Sequence, residues 1–268
     1  MIDGRKRKFI KELLQKPKLR RESGLYVVDG ARMCAEIPDG EAEEIFVTGE
    51  FLSSVHMKSC EPLLRRCGFT EVTEQEMKQV SDTVTPQGIL ALVRQKKVRG
   101  LSELMCSSGE TPLLVLLETI QDPGNLGTIV RAAEAAGATG ILMNRECVDI
   151  YSPKVVRSTM GSIFRVPFLV AEDLAEACRR LKQGDSRAGL PGLKIYAAHL
   201  KGAKEYTLAD YSHPCALMIG NEGRGLTDEL TQQADAAVKI PMCGSVESLN
   251  AAMATAIILF EASRQRRS

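Results

Sequence analysis

The sequence predicts an α/β protein in two parts, a small α/β unit followed by a larger domain built on a parallel sheet. Three observations lead there. From residue 112 onward, short apolar runs alternate with helical patterns, as in a parallel sheet covered on both faces. The run PLLVLL at 112–117 has no polar alternation, which marks a strand buried on both sides. The stretch KKVRGLSELMCSSGET (96–111) is polar, contains Ser and Gly, and is followed by Pro112, so it reads as a linker. The expected division is 1–95, a linker at 96–111, and 112–268.

In the first part, Phe9, Ile10, Leu13 and Leu14 recur at helical spacing over 5–15. LYVVDG (25–30) is a strand ending in a turn, and EIFVTG (44–49) is a second strand. FLSSVHMKSCEPLLRRCG (51–68) is helical, with a break expected near Pro62, since an interior proline removes a helical hydrogen bond. GILALVRQ (88–95) is the next strand. In the second part the strand 112–120 leads into the helix NLGTIVRAAEAAGA (125–138), with Leu126, Ile129, Val130, Ala133 and Gly137 on one side. GILMN (140–144) is a strand. VVRSTMGSIFRV (155–166) and EDLAEACRRLK (172–182) read as helices. KIYAAHL (194–200) and CALMIGN (215–221) are strands, LTDELTQQA (226–234) a helix, AVKIP (237–241) a strand, and 249–262 a closing apolar helix.

Composition narrows the function classes. The chain of 268 residues is 44% hydrophobic and 26% charged, enough to bury a core without staples. No apolar run reaches the roughly 18 residues of a membrane span, so no membrane partner is expected. The start, MIDGRKRKFIKELLQK, lacks the apolar stretch of a secretory signal. The eight cysteines include no CxxC pair, which argues against a metal or redox motif and fits a reducing, cytoplasmic setting. Net charge is only +1, yet residues 1–21 hold nine Lys/Arg against Asp3 and Glu12. Such an end suits a phosphate backbone, with Arg5, Lys6, Arg7, Lys8, Arg20 and Arg21 as candidate contacts; a solvated helix face has the same pattern.

Ligands of parallel sheets sit beyond the carboxyl ends of the strands, and three such ends carry unusual loops. ETIQDPGNLGTIVR (118–131) places Asn125 at a helix N-cap and lets Arg131 pair with Glu134 at i,i+3. IGNEGRGL (219–226) has glycines spaced G-x-x-G-x-G, which is neither the dinucleotide fingerprint nor a Walker loop, so a nicotinamide-dependent oxidoreductase is disfavoured; a plain turn is the simpler alternative. IPMCGSVESLNAA (240–252) puts Ser248 at the N-cap of a small-residue helix that either permits close backbone approach or is simply buried.

Taken together and in order, NLGTIVR, GNEGRGL and IPMCGSVESLNAA resemble the three signature motifs of the SpoU/TrmH branch of the SPOUT RNA methyltransferases. SPKVVRSTMGSIFRVP (152–167) is similar to the segment that family carries between its first two motifs, and FIKELLQKPKLRRESGLYVVDG resembles its small ribosomal-protein-like substrate-binding domain. The resemblance implies a C-terminal domain with a deep trefoil knot, a homodimer, and transfer of a methyl group from S-adenosylmethionine to a ribose 2'-hydroxyl without a metal. It implies a cofactor pocket at His199, Gly220, Glu222, Ile240, Met242 and Leu249, and a catalytic set of Arg131, Asn125, Glu222, Ser248 and Asn250, the last equally readable as a helix-start residue. The resemblance implies Arg131 as the base that activates the 2'-hydroxyl; because a guanidinium keeps its proton far above neutral pH, an electrostatic clamp on a phosphate is the alternative. Ribosomal RNA is the expected substrate and transfer RNA the alternative; a non-catalytic RNA-binding protein of this fold would be expected to lack Arg131.

Overall fold

The computed structural model describes residues 2–96, 98–106, 111–186, 189–200 and 202–267. The chain falls into two units. One comprises residues 1–96 and 149–164, the other 97–148 and 165–268. Residues 149–164, which the sequence reading assigned to the second part, thus fold with the first unit.

The first unit holds a four-stranded sheet of β1 (Leu25–Asp29), β2 (Ala42–Thr48), β3 (Thr70–Val72) and β4 (Ile89–Arg94), in the order β1-β4-β2-β3. Only the β2–β3 pair is parallel. The helix Gly4–Gln15 is capped by Asp3, whose carboxylate accepts from the Lys6 amide at 2.8 Å. Its Ile10 and Leu13 pack on Val27, Phe46, Leu90 and Leu92 of the sheet. Pro62 does not break its helix, which runs through it from Met57 to Cys67. An interior proline costs about 3 kcal/mol, and burying Leu63 and Leu64 returns roughly 1.5–3 kcal/mol each. The short helices Pro17–Ser23, Ala31–Cys34 and Glu74–Val80 carry no full apolar period and escaped the sequence reading.

The helix expected over 155–166 is interrupted. It runs Pro153–Thr159, turns at Met160 and Gly161 with φ of 51° and 96°, and resumes as a single turn at Ser162–Phe164. The φ of 96° at Gly161 lies in the left-handed region that strains any residue with a side chain, so the turn favours glycine.

Several cations expected to meet RNA are engaged within the unit. Arg20 is 2% exposed; its guanidinium donates to Asp149 at 2.6 and 2.8 Å and to the carbonyls of Leu13 and Leu14, so it is not an RNA contact. Lys6 pairs with Glu44, and Arg7 donates to the Ile2 carbonyl at 3.2 Å and lies 3.8 Å from Glu76. Arg5, Lys8 and Arg21 stay exposed and form no ion pair among the described residues.

The second unit holds β5 (Leu113–Leu117), β6 (Gly140–Asn144), β7 (Phe168–Ala171), β8 (Lys194–Ala198), β9 (Lys204–Glu205), β10 (Cys215–Ile219) and β11 (Ala236–Lys239). Their order is β7-β6-β5-β10-β8-β11-β9, and every pair is parallel. All of β5 and β10 is buried, as the unbroken apolar runs require. The expected linker is not wholly a linker. Leu101–Cys106 is a helix, and its Leu104 and Met105 join the core with Leu114, Leu142 and Leu174. Residues 97 and 107–110 of that stretch lie outside the described residues.

Removing one partner of a buried ion pair leaves the other charge uncompensated and typically costs about 3–5 kcal/mol. Asp149→Ala, which strands the buried guanidinium, is expected to lower stability by an amount of that order, and Arg20→Ala by less because water reaches the half-buried Asp149, while the exposed Arg21→Ala changes it by less than about 0.5 kcal/mol. Denaturant unfolding of the three variants checks this; an Asp149→Ala variant as stable as Arg21→Ala would refute it.

Candidate active site at the carboxyl ends of the strands

Because the sheet is parallel, the loops leaving β5, β8, β10 and β11 emerge on one edge. The loop after β5 starts at Glu118, a buried carboxylate that accepts from the amide and the hydroxyl of Thr227, each at 2.8 Å. Thr227 in turn caps the short helix Asp228–Thr231, so the loop after β10 is tied to β5 at its far end. Asp122 caps the helix Pro123–Ala136 by accepting from the Asn125 amide at 2.8 Å. The cap is therefore Asp122 and not Asn125 as expected. With Pro123 at the first helical position, the helix is capped three residues upstream of Asn125.

That shift leaves the Asn125 side chain available for other bonds. Its Nδ2 donates to Glu222 Oε1 at 3.0 Å, and its Oδ1 accepts from Asn250 Nδ2 at 2.8 Å. Glu222 also accepts from the amides of Asp122 at 3.1 Å and Gln121 at 3.3 Å. Asn250 Oδ1 accepts from the amides of Ala252 at 2.9 Å and Met253 at 3.2 Å, and so caps the helix Ala251–Arg266. The cap is thus Asn250, the residue also readable as a helix start, and not Ser248. Asn125, Glu222 and Asn250, one from each motif, form one hydrogen-bonded chain. Burial alone would raise the Glu222 carboxyl, but the bonds from Asn125 and from the amides of Glu222, Asp122 and Gln121 outweigh it and hold the group below its ordinary range.

Beside this chain lies a cavity of about 350 Å³, within the range of roughly 300–1,000 Å³ typical of small-molecule sites. His199, Gly220, Glu222, Ile240, Met242 and Leu249 all line it. So do buried Ile219, Val238 and Ile258, which give it an apolar floor. At Gly220 a Cβ would lie 2.2 Å from the Gly225 carbonyl carbon and the Leu226 amide nitrogen, so the loop folds back in a way only glycine permits. Asn221, passed over in the sequence, sets that return: its Oδ1 accepts from the amides of Gly223 at 3.0 Å and Arg224 at 3.1 Å. An Asn after a strand and before glycines is the readable signal for such a turn.

Ser248 is exposed and lines the cavity. Arg131 is exposed on the helix Pro123–Ala136 and is not among the lining residues. The pair expected between Arg131 and Glu134 does not form, because Glu134 pairs with Arg165, one contact being 3.3 Å. Among the described residues, no group of three or more His, Cys, Asp or Glu is placed to hold a metal ion.

Residues 112–260 match the SpoU rRNA methylase family, and residues 5–91 match the MRM3-like substrate-binding domain. The chain is 32% identical to the 23S rRNA (guanosine(2553)-2'-O)-methyltransferase RlmP of Bacillus subtilis, over 70% of each protein. Among solved structures it is similar to the SpoU methyltransferase AviRb of Streptomyces viridochromogenes in complex with AdoMet, with a TM-score of 0.86 and 29% identity, covering 100% of this chain and 99% of that one. It is also similar to an AdoMet-bound rRNA methyltransferase of Sinorhizobium meliloti, with a TM-score of 0.80 and 32% identity, covering 98% and 96%.

A carboxyl whose folded value is lowered adds stability in full above its ordinary value, here 4.5, and loses it as the pH falls through the lowered value. Glu222→Gln is therefore expected to be less stable than the wild type at about pH 7, with the gap closing toward about pH 3. Urea unfolding at the two pH values checks this, and a gap of equal size at both would count against the bonding scheme.

Proposed function

The chain belongs to the SpoU rRNA methylase family, and on that premise we propose that it transfers a methyl group from S-adenosylmethionine to a ribose 2'-hydroxyl of ribosomal RNA. The observation that carries this reading is the joining of all three motif loops, through Asn125, Glu222 and Asn250, at the rim of the cavity.

The cavity fits the cofactor. Ile219, Val238 and Ile258 offer an apolar surface for an adenine ring, and the tight Gly220 loop brings backbone donors and acceptors to its edge. Gly220, Ile240 and Leu249 would hold the base, with His199, Glu222 and Met242 around them. The sulfonium supplies an electrophilic methyl group; the protein has to orient the hydroxyl and stabilise charge on its oxygen. Glu222, held ionised by its donors, keeps Asn125 in one orientation, and Asn125 keeps Asn250. Ser248 stands at the cavity wall, open to the ribose. Arg131 acts as a cation that grips an RNA phosphate and stabilises the developing oxyanion.

Unit 1 adds affinity for the RNA backbone through Arg5, Lys8 and Arg21. A homodimer belongs to the same reading, supported by the exposed Met253 and Phe260, which flank half-buried Ile257 as a stripe on the closing helix. The trefoil knot does too, supported by the likeness of the whole fold to solved SpoU methyltransferases. A cytoplasmic location is supported by the seven free cysteines of the described residues.

The test is transfer of labelled methyl from S-adenosylmethionine into unmodified ribosomal and transfer RNA, assayed separately. Label is expected in ribosomal RNA, stable to alkali, and absent from DNA, which lacks the 2'-hydroxyl. Label confined to transfer RNA would move the substrate class. Arg131→Ala is expected to lower kcat/KM by about 100- to 1,000-fold while leaving cofactor affinity intact. Replacing Arg5 and Lys8 together by Ala should weaken RNA binding and flatten its logarithmic salt dependence by about 1.5; an unchanged slope would remove them from the RNA interface.

A further inference from the structure

We propose that Thr119 and Asn144 are positioning residues for the methyl transfer, fixing the strained turn that aims the first-motif loop at Glu222; the inference rests on the function proposed above. Thr119 has a φ of 56°. That left-handed conformation is unfavourable for a β-branched residue, and strain of this kind persists only where the surroundings over-determine it.

Here they do. The Thr119 amide donates to Asn144 Oδ1 at 2.8 Å, and Asn144 Nδ2 donates to the Thr119 hydroxyl at 3.0 Å. The Thr119 carbonyl accepts from Asn221 Nδ2 at 2.8 Å. The next amide, Ile120, donates to Cys147 Sγ at 3.3 Å, and the Cys147 thiol lies 3.2 Å from Asn144 Oδ1. Burial pushes that thiol up to about 11, so it stays protonated and can donate to Asn144.

The placement of these groups gives the grip its purpose. Asn144 is the last residue of β6 and Asn221 follows β10, the two strands that flank β5. The loop leaving β5 is thus held from both neighbours at its second residue. Two and three residues further on, the amides of Gln121 and Asp122 donate to Glu222. If Thr119 relaxed to an ordinary φ, those amides would turn away, and Asn125 and Arg131 behind them would shift. Neither Thr119 nor Asn144 lines the cavity. Cofactor binding and methyl transfer should therefore respond differently to their loss.

The experiment compares wild type, Asn144→Ala, Asn144→Asp and Thr119→Val, full-length, for methyl transfer to ribosomal RNA and for S-adenosylmethionine binding by calorimetry. Asn144→Ala is expected to lower kcat by about 10- to 100-fold, the scale of a misplaced reacting group, with the cofactor Kd unchanged. Asn144→Asp keeps an acceptor for the Thr119 amide, and the Thr119 hydroxyl can donate to it, so most of kcat should return. Thr119→Val removes the hydroxyl alone and should fall between; it serves as the readout if Asn144→Ala does not fold. Wild-type kcat in both Asn144→Ala and Thr119→Val overturns the inference. So does loss of cofactor affinity in step with kcat, or failure of Asn144→Asp to recover activity. An inactive wild type that binds S-adenosylmethionine would instead overturn the function reading itself.

Discussion

The carboxylate of Glu222 is the interaction on which the rest of the site depends. It comes from the loop after β10 and accepts from two backbone amides and one side-chain amide of the loop after β5. Hydrogen bonds to an ionised acceptor are about twice as strong as neutral ones, so Glu222 adds a charged link between two loops that Glu118 with Thr227, and Thr119 with Asn221, also tie together. The third loop joins through Asn250, whose Nδ2 reaches Asn125 while its Oδ1 starts the closing helix. The direction of that helix and the rim of the cavity are thereby referred to one carboxylate.

The parts of this arrangement legible in the sequence were those set by composition over several residues. The buried strands β5 and β10 show as unbroken apolar runs, and the glycines of 220–225 announce a tight loop. What could not be read was the choice among neighbouring capping residues. Asp122 and Asn125 are both good caps, as are Ser248 and Asn250, and the outcome depends on which side chain has a second partner across the loop. Asn144 gave no signal at all, since a polar residue ending a predicted strand is ordinary and its value lies in meeting Thr119. The helix inside the expected linker was readable in principle. Leu101, Leu104 and Met105 fall at i, i+3 and i+4, but the surrounding polar residues obscured the stripe.

The basic N-terminus shows how far a charge count differs from available charge. Of the six cations singled out there, Arg20 is consumed by the interior, and Lys6 and Arg7 lean on glutamates of the same unit. A linear sequence cannot show this, because Glu44, Glu76 and Asp149 lie 38 to 129 residues from the cations they meet. What remains of the six is a sparse, exposed set of three, Arg5, Lys8 and Arg21.

The ion pair between Arg20 and Asp149 bears on how far the first unit of this chain can be separated from the rest. The first unit takes one of its internal counterions from a stretch that lies, in the gene, between the first and second motifs of the methylase. Shuffling the N-terminal coding segment onto an unrelated enzyme would carry the guanidinium and leave its counterion behind.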